Sequence, residues 1–463
     1  MNMLTHPFGS LDVILRAEPV SRKMFQPRLF PTTSLLFSGI NLTMDYLQEV
    51  REQYENYPYP FRNPEDEKKR IVSTQDAFLE KINHYCYGGQ QDFSSFRALV
   101  AGGGTGSAAI FLAEQLRYRG NSEVVYLDIS KKSMKIAKKR AEIRGLDNIR
   151  WVHGSILDLP QLAIDSFDYI NCVGVLHHLE DHYQGLRALE SVLKENGCMG
   201  LMVYGRHGRA PVYQMQELMR LIDLDEKNMQ QKVENTKAVI ASLPPTNFFK
   251  QCESEWLSEV DLYGDIGVYD LFLHSQDHGF DVLELYDWVE SCGFRLVEFI
   301  GPKFESRIGY QPQTFIGHPA LLQKIGKMTL PRQQAIAELV SGLIQRHSFY
   351  LSKGEKTKAS LDDLENVPFF FGYYPEGLLE KLKENKGEKI VLRSPDQISM
   401  QFSPGRFTSL IFQHMNGIRS LKTIFNKVRK DLNNPGLGDK ELREDFAPVY
   451  RVFNNIGWIL LRH

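Results

Sequence analysis

Apolar positions along the chain recur with two periods, and the order in which those periods alternate gives the first indication of a fold. Short apolar runs at Arg97 to Ala101, Glu123 to Leu127, Ile149 to His153, Phe167 to Cys172 and Cys198 to Tyr204 read as strands. Between them Ala108 to Arg117, Lys131 to Arg144 and Leu186 to Leu193 read as helices, the second stopped by Gly145, where a C-terminal glycine belongs. Helix Val282 to Ser291 and strand Phe294 to Phe299 resume the pattern further on. Strands alternating with helices at this spacing predict an α/β, doubly wound, Rossmann-like parallel sheet covered on both faces.

Outside that core the pattern changes. Residues Asp45 to Tyr54 are helix-like and run into Tyr57-Pro58-Tyr59-Pro60, where proline imposes an extended segment; a second helix is predicted near Thr74 to Tyr85. After Tyr204 a helical stretch, Val212 to Ala241, ends at Pro244-Pro245 and is too long for a simple connection, so it reads as an insertion over the pocket. Pro331 to Phe349 is predicted helical and Lys353 to Lys358 a polar linker. From about Glu388 the chain reads as a short strand, helices near Thr408 to Met415, Leu421 to Leu432 and Lys440 to Asn454, and a closing strand Trp458 to Arg462, an order that resembles a winged helix. The expected domains are a poorly ordered extension (1–43), a helical lid segment (44–92), the nucleotide-binding domain (93–310, insertion about 211–250), a helical middle region (311–387) and a winged-helix-like domain (388–463).

Bulk properties narrow the function. At 463 residues the chain is too long for one growing core, which agrees with several domains. A net charge of -2 gives no global reason for a polyanionic partner. Residues 388–463 carry twelve Lys and Arg against seven Asp and Glu, yet lack an arginine-dense recognition helix, so protein contact or homodimer formation is expected there rather than nucleic-acid binding. No apolar run approaches the roughly 20 residues of a membrane span. Five widely spaced cysteines without a C-x-x-C arrangement read as free thiols in a reducing compartment, and Met1 to Asn41 lacks the apolar core of a secretory signal, so a cytoplasmic location is expected.

Candidate chemistry gathers at the strand ends. Gly102, Gly103, Gly104, Thr105 and Gly106 lie between a strand and a helix, where absent side chains let backbone amides approach a ligand. Asp128, followed by Ile129, ends the next strand 22 residues beyond Gly106, where a carboxylate can accept from both hydroxyls of a ribose. Ser155 and Ile156 form a polar turn after the third strand, placed for an adenine edge. Asn171 to Leu179 ends the fourth strand in small and apolar residues, Asn171 and Val173 among them, a surface that suits a thioether or sulfonium better than a pyrophosphate. The G-x-G-x-G spacing without a later glycine also departs from the dinucleotide pattern.

LVAGGGTG, YLDIS, GSILDLP, FDYINCVGVLHHLED and LKENGCMGLMVYG, covering Leu99 to Gly205, together resemble the successive motifs of class I S-adenosylmethionine-dependent methyltransferases. The resemblance implies that the Gly102 to Gly106 loop holds the methionine portion of S-adenosyl-L-methionine, Asp128 the ribose, and Ser155 with Ile156 the adenine. Val100 and Ser155 stand where many relatives carry acids, so the amino group and the adenine amine must lean on backbone carbonyls, Asp158 or water. Beyond the core, YENYPYPFR, YDLFLHSQDHGFDVLELYDWVESCGFRLVEFIGP and the winged-helix-like end are similar to a bacterial group containing the rickettsial protein-lysine methyltransferases, enzymes that modify an outer-membrane surface protein. That similarity implies a protein acceptor.

Methyl transfer from a sulfonium is an in-line displacement, so alignment and desolvation carry the catalysis. Tyr57 and Tyr59 are candidates for a lid facing the cofactor, against the plainer reading that they pack the entry segment. His177 and His178 follow the fourth strand, as a general base or as wall residues; Tyr204, with Arg206 and His207, ends the fifth, as acceptor contacts or as a solvated loop. Asp270, His274, Asp277 and His278 are metal ligands by type but lack a supporting cluster, so no metal is expected. The leading reading is a protein-lysine methyltransferase; the alternatives are a small-molecule methyltransferase of secondary metabolism and a non-catalytic cofactor-sensing protein that binds DNA.

Overall fold

The computed structural model describes residues 50–463 except 163, 303–304, 356, 373, 386–387 and 394–398, and the extension expected over 1–43 lies outside them. Seven strands form the main sheet: β1 (Arg97–Ala101), β2 (Glu123–Asp128), β3 (Ile149–His153), β4 (Phe167–Val173), β5 (Leu193–Tyr204), β6 (Arg295–Phe299) and β7 (Arg346–Ser352). Their spatial order is β3-β2-β1-β4-β5-β7-β6. β1 to β5 run parallel, whereas β7 is antiparallel to both β5 and β6. Chain order reverses between β1 and β4, so the loops leaving those strands diverge and open the crevice in which doubly wound sheets bind ligands.

The central strands are apolar throughout because both faces are covered. Leu99 and Ala101 of β1 pack with Val125, Leu127 and Ile170 on one face, while Ala98 and Val100 pack with Val124, Tyr126 and Tyr169 on the other. The helix predicted over Pro331 to Phe349 needs correction: a helix spans Leu330–Ser341, Gly342 ends it at φ +61°, and β7 follows. Phe349 and Leu351 belong to one core layer and Tyr350 to the other, a period of two that only a strand satisfies. The sheet is therefore mixed rather than wholly parallel.

Five helices follow β5, Ala210–Ile222, Met229–Ser242, Phe248–Gln251, Glu253–Tyr263 and Asp265–Phe272. The insertion expected over about 211–250 thus continues to Phe272. Pro244 and Pro245 mark only a turn within it, since Phe249, Trp256 and Phe272 beyond them close onto Val212, Met215 and Val233 in one apolar core.

Towards the carboxy terminus, β8 (Val367–Phe370) pairs antiparallel with β11 (Ile459–Arg462), and β9 (Ile390–Arg393) with β10 (Ser399–Phe402). Helices Thr408–His414, Leu421–Asp431 and Asp439–Asn455 contribute Ile411, Phe412, Phe425, Phe446 and Phe453 to a core that also takes Ala359, Leu361 and Leu378. Because β11 takes its partner from 367–370, this core begins upstream of residue 388. All five cysteines are free, and no described helix is long and apolar enough to cross a membrane.

The segment before the sheet is bolted to it. Glu67, in a 3-10 turn over Pro64–Lys68, is buried and pairs with buried Arg140 at 2.6 Å and with Arg144. Arg140 also donates to the Thr105 carbonyl at 2.7 Å, so one guanidinium joins the amino-terminal segment to the glycine turn.

Candidate active site

The turn after β1 forms part of the wall of a cavity of about 620 Å³ at the strand-order reversal. Gly102, Gly103, Gly104 and Thr105 line it. Gly106 is not in that wall; it starts the helix Ser107–Leu116 at φ +97°. Side chains have no room here: a Cβ would lie 2.4 Å from Val175 Cγ2 at position 102, and 2.2 Å from Tyr126 Cε2 at position 103.

Asp128, Ile129, Ser155, Ile156, Asn171 and Val173 line the same cavity. The buried Asp128 carboxylate accepts from the Gly104 and Ser130 amides, each at 2.7 Å. Burial pushes its carboxyl up to about 6 against the pull of those two amides. In the turn after β3, Ser155 Oγ caps the next 3-10 turn by accepting from Leu157 N at 3.2 Å, and Asp158 Oδ2 accepts from Ser155 N at 2.9 Å. Asp158, one of the alternatives expected to serve the adenine amine, therefore folds back onto its own turn and does not line the cavity.

A second carboxylate, which sequence reasoning missed, enters from the turn ahead of helix Leu79–Cys86. Asp76 is 6% exposed and lines the cavity together with Val100, Gly102 and Asn171. Its carboxylate accepts from Asn171 Nδ2, and its carbonyl accepts from Tyr169 Oη at 2.6 Å and Tyr350 Oη at 3.0 Å. Burial holds the carboxyl above its ordinary value, with the hydrogen bonds opposing. No local motif surrounds it; the one hint was the absence of an acid at Val100.

The other half of the cavity takes its side chains from four segments. The amino-terminal strap crosses the glycine turn: Thr105 Oγ1 donates to the Pro60 carbonyl at 2.8 Å, Ser130 Oγ to the Tyr54 carbonyl at 3.2 Å, and Lys131 N to Glu55 Oε1 at 2.5 Å. Tyr59 lines the cavity, but Tyr57 does not. Tyr57 stacks on Tyr269 of the insertion at 5.1 Å and donates to Gln230 at 3.4 Å, so its expected place facing the cofactor is corrected. Tyr54, not singled out from sequence, lines the wall, with its hydroxyl 3.4 Å from His274 Nε2.

Tyr204 lines the cavity at the end of β5, with the Arg209 guanidinium 3.6 Å above its ring. His177, the histidine favoured from sequence, is fully buried between Tyr204 and His178 at 4.0 and 4.1 Å, neither ring nitrogen has a hydrogen-bond partner, and it is not in the wall. Its neighbour His178 lines the cavity in its place. Trp256, Tyr263 and buried Asp270 come from the insertion. Arg206 turns away to Asp281 at 2.6 Å and to Glu284, and His278 turns to Glu284 at 2.7 Å. Donor atoms of His177, His178 and Asp277 gather within 4.8 Å of one another, and the Arg209 guanidinium stands 3.8 Å from Asp277, a charge that opposes a second cation nearby.

Three comparisons bear on this geometry. The family described as Methyltransferase domain matches residues 99–199. Protein syc1184_c of Synechococcus sp. is 29% identical over 310 residues, covering 66% of this chain and 72% of that protein. The tRNA 5-carboxymethoxyuridine methyltransferase of Escherichia coli strain K12 is 36% identical over 113 residues, 24% of this chain and 41% of that enzyme. Among solved structures, PKMT2 from Rickettsia typhi in complex with AdoHcy shares the fold at a TM-score of 0.58 and 16% identity, over 85% of this chain and 77% of that one. The chain carries a class I S-adenosylmethionine-dependent methyltransferase domain.

The methyltransferase cavity fits S-adenosylmethionine on its own chemistry. Backbone without side chains faces the crevice at Gly102 and Gly103, and two buried carboxylates, Asp76 and Asp128, are available to a ligand that carries an ammonium and two ribose hydroxyls. When bound, the cofactor supplies a methyl group already activated on a sulfonium. What remains for the methyltransferase is to hold an acceptor in line with that group and to exclude water.

Proposed function

We propose that this methyltransferase acts on an amine displayed by a protein, a lysine side chain, by direct in-line transfer. In this reading the glycine turn holds the methionine portion, Asp76 the α-ammonium, Asp128 the ribose, and Ser155 with Ile156 the adenine, while Asn171 and Val173 flank the sulfonium. The observation that carries the acceptor assignment is the cavity lining itself, in which Tyr54, Tyr59, Tyr204, Tyr263 and Trp256 occur together with buried Asp270. Aromatic faces and a carboxylate attract an entering ammonium. The Arg209 charge over Tyr204 opposes Asp270 in this and favours the neutral nucleophile.

The similarity of the amino- and carboxy-terminal segments to the rickettsial group supports a protein acceptor. The Escherichia coli relative shares only 113 residues, so its tRNA substrate says nothing about the acceptor half. In the same proposal the carboxy-terminal module is winged-helix-like and grips the protein acceptor or a second copy of the chain. A second reading, a small-molecule methyltransferase, draws on the five helices from Ala210 to Phe272, whose Trp256, Tyr263 and Asp270 help enclose the cavity. Methyl-labelled cofactor incubated with total protein extract separates the two. Label in protein bands, recovered as methyl-lysine after hydrolysis, is expected; label confined to low-mass metabolites overturns the protein reading.

A further inference from the structure

His178 ends a 3-10 turn, Leu176–His178, that leaves β4 at the acceptor end of the cavity. Its Nδ1 lies 2.9 Å from the Gln276 carbonyl oxygen. A carbonyl only accepts, so Nδ1 carries the hydrogen and Nε2 holds a lone pair. Nε2 makes no hydrogen bond to any described residue, and it is not among the sealed, unpartnered atoms, whereas both nitrogens of His177 are. The ring is also fixed in orientation: it stacks on His274 at 3.7 Å and 18°, and meets Tyr204 edge-on at 5.7 Å. A neutral imidazole whose tautomer is set by a carbonyl, on a residue that lines the cavity, has the geometry of a base.

We propose that His178 is the general base of the methyl transfer, taking the acceptor's proton on Nε2. The proposal rests on the amine reading above. One N–H bond of the entering ammonium breaks, its electron pair stays on nitrogen, and the proton bonds to Nε2 to give an imidazolium. The freed lone pair then forms the N–C bond to the methyl group while the S–C pair stays with sulfur, and the imidazolium returns its proton to solvent.

The groups facing the ring divide in their effect. From the loop before the helix Val282–Ser291, Asp277 and the Gln276 carbonyl stabilise the imidazolium; Arg209 and burial oppose it and hold the resting ring neutral. His274, on the same loop, and His177 are themselves held neutral by burial. Proton transfer from a free lysine, whose pKa is about 10.4, to imidazole is uphill. Asp277 and the Gln276 carbonyl narrow that gap from the histidine's side by stabilising the imidazolium.

Two measurements test the assignment. NMR of the whole protein carrying nitrogen-labelled histidine, compared with His178→Gln to identify the signal, reads the tautomer with neither cofactor nor acceptor present. An Nδ1–H form is expected, and an Nε2–H form overturns the proposal. On whichever acceptor the wild type methylates, His178→Gln and His178→Ala should lower kcat by at least about 100-fold near neutral pH with KM and cofactor affinity little changed. The deficit should shrink as pH rises towards the acceptor's own pKa, and added imidazole should restore part of the His178→Ala activity. A variant with wild-type kcat and pH profile, or one that loses cofactor affinity in parallel with turnover, overturns the base role. Failure of the protein-acceptor reading looks different: the wild type labels metabolites, and the same variants are then assayed on those.

Discussion

Asp76 offers the sharpest test of how the cofactor is held. Asp76→Asn keeps the size of the side chain and keeps an oxygen that can accept from Asn171 Nδ2, but removes the charge. If the carboxylate binds the α-ammonium, the loss is that of a hydrogen bond to a charged group, about 1.5–3 kcal/mol, or about 10- to 150-fold in Kd. Stability should move the other way. The folded-state carboxyl is raised above its ordinary value, chiefly by burial, so the folded protein binds this proton more tightly than the unfolded chain. Its contribution therefore becomes a cost as pH climbs through the raised pKa, and the cost is fully present only above that pKa. Replacing it with a neutral amide lifts that cost, so the ligand-free variant should melt at the wild-type temperature or above.

Calorimetry with two ligands completes the argument. S-adenosylhomocysteine carries the amino-acid portion, and methylthioadenosine does not. Only the first should bind Asp76→Asn more weakly, because ribose and adenine contact other residues. Equal weakening of both ligands, or a variant that melts early and binds nothing, would assign Asp76 to the scaffold of the segment that Tyr169 and Tyr350 hold through its carbonyl.

Asp128, raised to about 6 by burial, should make nucleoside affinity fall as pH drops through that value, since only the ionised form accepts from both ribose hydroxyls; calorimetry across that range checks it, and a flat profile removes Asp128 from the ribose site. Glu67→Gln leaves Arg140 buried without its counter-charge and should cost about 3–5 kcal/mol in denaturant unfolding; an unchanged midpoint would mean that the Thr105 carbonyl and Ser107 Oγ suffice for Arg140. Tyr57→Phe removes a 3.4 Å hydrogen bond at a distance from the cavity and should leave turnover at the wild-type level, with stability lowered by no more than about 1 kcal/mol; a fall in kcat would put Tyr57 back into the lid.

The glycine-turn half of the cavity was legible in the sequence because its determinants are contiguous. A strand, a glycine turn and a helix are neighbours in the chain, and the spacing from Gly106 to Asp128 is one helix and one strand, so position follows from order. Strand β7 was hidden for the opposite reason. Its residues are buried on both faces, so no polar alternation marks it, and its partners β5 and β6 lie across long intervening segments. Asp76 was hidden similarly, since its partner Asn171 is 95 residues away.

The histidine pair shows where pattern alone stops. His177 and His178 are indistinguishable by type and adjacent in sequence, yet a 3-10 turn sends the first beneath Tyr204 and the second into the wall. What separates a packing residue from a candidate base is then a single carbonyl, that of Gln276, 98 residues further along, which dictates the nitrogen that keeps its hydrogen. The loop bearing Gln276 also carries Asp277, and it follows directly on the last insertion helix, Asp265–Phe272, which supplies Asp270 to the cavity. The insertion therefore does more than roof the cavity: it delivers the carboxylate proposed to receive the acceptor and leads into the loop that sets the tautomer of the group proposed to deprotonate it. Replacing that insertion should change the acceptor while leaving the cofactor half intact, a division consistent with a chain whose family match stops at residue 199.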